Sequence, residues 1–156
     1  MRAVRYHEGM IKIAVLLLAL AAVPALAAAP QHFSLTAAYV APAKPGATGA
    51  IAVTFVGHDP DVHINEEPPP RLRLDPEQKV LVDKQASAPS RGTAFDPANA
   101  KYLDIAAPVT FPVALAPGSP KGLHDVAATV TYFYCSKREG WCRKGTTDVS
   151  VAVNVP

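Results

Sequence analysis

His124-Asp125-Val126-Ala127-Ala128-Thr129-Val130-Thr131-Tyr132-Phe133-Tyr134-Cys135, followed a few residues later by Thr146-Thr147-Asp148-Val149-Ser150-Val151-Ala152-Val153-Asn154-Val155, is the stretch that decides the fold. The first run alternates for a dozen residues, and the second puts Val149, Val151, Val153 and Val155 on one face. A period of two sends successive side chains to opposite faces of an extended chain, so both runs read as strands with one buried face. Only a hairpin loop joins them.

Upstream the same period recurs in shorter pieces. His32 to Val40 reads as a strand, and Ala50 to Val56 as another with Ile51, Val53 and Phe55 on one side. A brief extended segment follows over Val62, His63, Ile64 and Asn65. Pro68, Pro69 and Pro70 donate no ladder hydrogen bonds, so Glu66 to Pro70 must be an edge or a crossover. Arg71 to Leu74, Lys79 to Asp83, Tyr102 to Ile105 and Val109 to Leu115 complete the strand-like segments. Gln85 to Ala100 reads as a long loop of the kind that is more often functional or mobile than idle. About eight strands punctuated by turns predict an all-β fold, an immunoglobulin-like antiparallel β-sandwich of about eight short strands.

The N-terminus has the parts of an export signal: positive charge at Arg2, Arg5 and Lys12, an apolar run from Ile13 to Ala22, and small residues at Ala25 and Ala27 for cleavage. Residues 1–29 are therefore expected to be a signal peptide, with Met1 or Met10 as the start, and residues 30–156 one exported domain. The apolar run is short for a membrane span of about 20 residues, so no membrane insertion is expected after cleavage. Removing Arg2, Arg5, Lys12 and Glu8 from 15 basic and 13 acidic residues leaves twelve of each. A neutral domain has no electrostatic reason to bind nucleic acid. His32, His58, His63 and His124 lie singly, away from metal-ligand spacing to the cysteines, so neither a metal nor a cofactor is expected.

Cys135 and Cys142 are the chain's two cysteines. Outside the cytosol an even count of two reads as one bridge. The pair brackets a six-residue hairpin loop, which sets the two residues opposite each other across the ladder. Opposed Cβ atoms stand about 4.5–5.5 Å apart in a sheet, whereas a relaxed disulfide wants about 3.8 Å. Such a mismatch favours exchange. Lys137, Arg138, Arg143 and Lys144 against Glu139 add a local positive excess that favours thiolate over thiol. A purely structural staple is the competing reading. Closing an eight-residue loop contributes about 2.5 kcal/mol in the chain-entropy model, and the charges could simply solvate a loop tip. Tyr132, Phe133, Tyr134 and Trp141 read as core or rim packing. From spacing alone both readings of the bridge stand.

The Tyr132-Phe133-Tyr134-Cys135 run, the closing Gly140-Trp141-Cys142 and the valine-alternating last strand resemble the N-terminal domain of DsbD-type thiol:disulfide interchange proteins. His63-Ile64-Asn65 with Pro68 to Pro70, Arg71 to Leu74, and Val109 to Leu115 fit the same pattern, so the resemblance runs from about Gly49 to Val155. It implies a periplasmic immunoglobulin-like domain whose catalytic pair is Cys135 and Cys142, with attack by Cys142. The pair would take electrons from a thioredoxin-like or membrane-embedded donor protein and pass them to oxidised periplasmic client proteins. It also implies an aromatic cap over the pair, for which Phe95 stands at about the corresponding place.

Two features depart from the family. Six residues separate the cysteines, more than in the familiar form, and the sequence carries no membrane-spanning or thioredoxin-like domain. The reductant is therefore expected from another chain. The alternative is a non-enzymatic secreted β-sandwich, a binding or structural module with a structural hairpin disulfide. A third reading is a small-ligand site built on the Gln85 to Ala100 loop.

Overall fold

A computed structural model of the chain describes residues 31–43, 47–82, 89 and 101–156. The described residues form eight strands and no helix: β1 Phe33–Val40, β2 Gly49–Gly57, β3 Val62–Ile64, β4 Arg71–Leu74, β5 Leu81–Val82, β6 Val109–Leu115, β7 Gly122–Ser136 and β8 Cys142–Val155. The signal-peptide segment, Phe95, and the long loop apart from Pro89 lie outside the described residues.

All pairings are antiparallel. One sheet has the order β1-β2-β6-β5. In the other, β7 is central: β8 runs along one side of it, and β3 and β4 share the other side. The two decisive runs thus form one long hairpin, longer than the short strands expected, because pairing continues from Gly122↔Val155 to Cys135↔Cys142. The alternation dictates what each face meets. On β7, Val126, Ala128, Val130 and Tyr132 are buried, as are Val151, Val153 and Val155 on β8. They meet Ile51, Val53 and Phe55 of β2 and Val109, Phe111 and Val113 of β6 in a single core that both sheets line. The odd-numbered residues of β7 face the other way. This outer face, at its Cys135 end, carries the site described below.

Two predicted strands shrink. Of Lys79 to Asp83, the described residues contribute Leu81–Val82 to a ladder, and Asp83 lies outside them. The side chain of Gln78 accepts the N–H groups of Val80 and Leu81, each at 2.9 Å, and donates to the Leu81 carbonyl at 2.8 Å. Those groups are then satisfied locally, and pairing starts late. Tyr102 to Ile105 is reduced to an isolated bridge, Asn65↔Tyr102. Asp104 Oδ1 accepts the N–H of Ala106 at 2.9 Å, which turns the chain before a strand can extend.

Gly145 shows how tightly the hairpin neck is built. It pairs with Tyr132, and a Cβ there would lie 2.5 Å from Tyr132 Cζ and 2.6 Å from Cε2. Tyr132 is 5% exposed and cannot swing clear. Gly145→Ala is therefore expected to cost about 1–3 kcal/mol, the usual penalty of overpacking. Urea denaturation of the variant against the parent would show it, and an unchanged midpoint would contradict this account of the neck.

Candidate functional site

Cys135 is the last residue of β7 that pairs with β8, and Cys142 begins β8; the two are joined by a disulfide with Cα atoms 4.1 Å apart. Just beyond them, the Ser136 N–H donates to the Trp141 carbonyl at 2.9 Å. In an antiparallel ladder the pair next to such a hydrogen-bonded one is non-hydrogen-bonded, with Cα atoms drawn to about 4.5 Å. That is where opposed side chains come closest, and the sequence puts both cysteines there.

The loop between them carries hydrogen bonds of its own. Gly140 N–H donates to the Ser136 carbonyl at 3.0 Å, and Glu139 N–H to Ser136 Oγ at 3.1 Å. Gly140 has φ of 70°, a conformation that glycine adopts at little cost.

The two cysteines differ in access. Cys135 is 8% exposed, whereas Cys142 is exposed at the edge of the hairpin. β3 supplies the cover. Its register sets His63 beside Cys135 and Ile64 beside Tyr134. Because Ile64 is wholly buried in the core, its neighbours His63 and Asn65 lie on the outer face with the bridge. His63 stacks on Tyr102, ring centroids 4.9 Å apart, and the Lys137 ammonium lies 4.9 Å from the centre of the same ring. Asn65, Glu66, Glu67, Lys101 and Tyr102 join both cysteines in lining a groove of about 380 Å³. A second groove, of about 450 Å³, passes Arg73, Ala128 and Thr129. It lies six or seven residues along β7, roughly 20 Å from the sulfurs at about 3.3 Å per residue, and plays no part in their chemistry.

The positive excess predicted around the bridge is partly consumed. Arg138 forms an ion pair with Asp61 at 2.6 Å, and the Arg143 guanidinium lies 4.4 Å from the Trp141 ring centre. Glu139 accepts from the Trp141 indole N–H. Asp61, Asn65 and Tyr102 were not among the residues that sequence reasoning brought to the cysteines. They arrive through the β3 pairing and the Asn65↔Tyr102 bridge, neither of which has a local signal. Of the aromatic residues flanking the bridge, Tyr132 enters the core, Tyr134 and Trp141 pack against it, and Phe133 faces outward with Cys135.

Fold and site together define a class: an antiparallel β domain with a half-exposed cross-strand disulfide at the neck of its longest hairpin. No family model, curated protein or solved structure matches the chain.

Proposed function

We propose that this is an exported, periplasmic domain for thiol–disulfide exchange, an immunoglobulin-like relative of the N-terminal domain of DsbD-type proteins. The observation that carries the proposal is the unequal access of the bridge: Cys142 is exposed and Cys135 nearly covered, both on a groove. In reduction, a thiolate of a dithiol donor attacks Cys142 Sγ. The Cys135–Cys142 bond breaks, and Cys135 leaves as a thiolate and takes a proton. The donor's second thiolate then attacks the mixed disulfide, releasing Cys142 and leaving the donor oxidised. With an oxidised client the sequence runs the other way. The donor is a thioredoxin-like or membrane-embedded protein, and the clients are oxidised periplasmic proteins. Export rests on the charged and apolar pattern of residues 1–29.

The structural staple remains the competing reading, and what weighs against it is redundancy. Three backbone and side-chain hydrogen bonds already close the loop from Ser136 to Trp141. Redox equilibration of residues 30–156 with glutathione separates the two. Exchange predicts a reduction potential above about −300 mV, whereas structural disulfides typically lie below it. A value far below that line would leave only the staple.

A further inference from the structure

Asn65 lines the bridge groove and holds a buried hydrogen-bond acceptor, Oδ1, that no group among the described residues engages. Its backbone is pinned on both sides. Its N–H donates to the Phe133 carbonyl at 2.9 Å, the flanking Leu103 N–H donates to the Ile64 carbonyl, and Glu66 N–H to the Lys101 carbonyl, each at 2.9 Å. The side chain lies on the outer face, opposite Phe133 and diagonal to Cys135, and it lines the groove with both cysteines. Its Oδ1 is buried and has no partner among the described residues. Buried polar oxygens are nearly always satisfied, so an exception beside a reactive bond calls for a missing donor.

We propose that the Asn65 side chain turns its Oδ1 into the groove and accepts a main-chain N–H of the incoming partner, so that the groove selects thiols borne on polypeptide over simple alkyl thiols. This rests on the exchange reading above and adds the residue that recognises the partner's main chain. A cysteine whose sulfur attacks Cys142 carries peptide N–H groups only a few bonds from that sulfur, which brings a donor to the groove together with the nucleophile. Tyr102, stacked on His63, forms the aromatic wall beside it. The charged residues on the groove, Glu66, Glu67 and Lys101, have both signs, so they give little preference by charge. Asn65 is thereby a positioning residue: it orients the partner, and the sulfurs do the chemistry.

The test compares second-order rate constants for reduction of the bridge by N-acetylcysteine amide, which carries amide N–H groups, and by 2-mercaptoethanol, which carries none. Both reductants are uncharged, and each variant is scored by the ratio of the two constants relative to wild type. Asn65→Leu is expected to lower the ratio by about tenfold, the effect of leaving a buried acceptor unmatched in the transition state. Asn65→Ala, which cannot overfill the groove, should do the same, and Asn65→Asp, which keeps an acceptor at the position, should preserve the ratio. A ratio unchanged in both Leu and Ala variants overturns the inference and leaves exchange intact, as does a loss in Asp equal to that in Leu. A wild-type bridge inert to both thiols removes the exchange reading itself, and this inference with it.

Discussion

Cys135→Ser is expected to turn the domain into a trap that stays covalently joined to an oxidised client, while Cys142→Ser is expected to capture almost nothing. The asymmetry follows from access. In the reduced domain the exposed Cys142 thiolate attacks the client's disulfide, and one client sulfur leaves as a thiolate. Normally Cys135, directly opposite with its Cα 4.1 Å away, then attacks Cys142 and frees the client. Well-oriented intramolecular groups act at effective molarities of about 10⁵ M or more. Removing Cys135 should therefore prolong the mixed disulfide by about a thousandfold or more. In Cys142→Ser the surviving thiol is 8% exposed beneath the β3 face and has no comparable approach. Mass spectrometry or non-reducing gels of each variant with a disulfide-bearing client would score the adducts. Equal trapping by the two variants would contradict the assigned roles. No trapping by either would contradict exchange.

How much of this could be read from the sequence depends on the range of the interaction. Alternation along β7 and β8 is a local property, and it located both strands, the buried valines and the opposed cysteines. The hairpin register follows from the length of its own loop. The short segments fared worse. Gln78 and Asp104 satisfy nearby backbone groups with their side chains and cut short strands that the apolar pattern favoured. Composition does not foretell such competition between side chain and ladder. The surroundings of the bridge were hidden for another reason. His63, Asn65 and Tyr102 reach Cys135 through pairings between residues 37 to 74 positions apart in the chain. Arg138 looked like free positive charge until Asp61, far away in sequence, proved to be its partner. The expected cap, Phe95, lies outside the described residues, and Tyr102 is the aromatic residue that the structure does place on the groove.

Tyr132→Ala is expected to cost more stability than opening the bridge. The Tyr132 ring is 5% exposed and sits on the core face, three residues before Cys135 but pointing the opposite way. It meets Phe55 edge-on at 5.3 Å and Phe33 edge-on at 5.9 Å, and Tyr134 extends the cluster at 5.8 Å. Tyr134 in turn meets Trp141 and His32, so these rings tie the neck of the hairpin to β1 and β2 from beneath. Truncating a buried aromatic residue typically costs about 3–5 kcal/mol, against about 2.5 kcal/mol for the loop closed by the disulfide. Urea denaturation should show the aromatic loss at nearly the same size with the bridge intact or reduced, since the two act on opposite faces of one strand. The parent domain should still unfold cooperatively after reduction. A loss below about 1 kcal/mol in the oxidised form, or collapse of the parent on reduction, would mean that the sulfurs hold the neck. A bond with that duty could not be broken and remade in each turnover, whereas a neck held by its aromatic cluster leaves the bridge free to exchange.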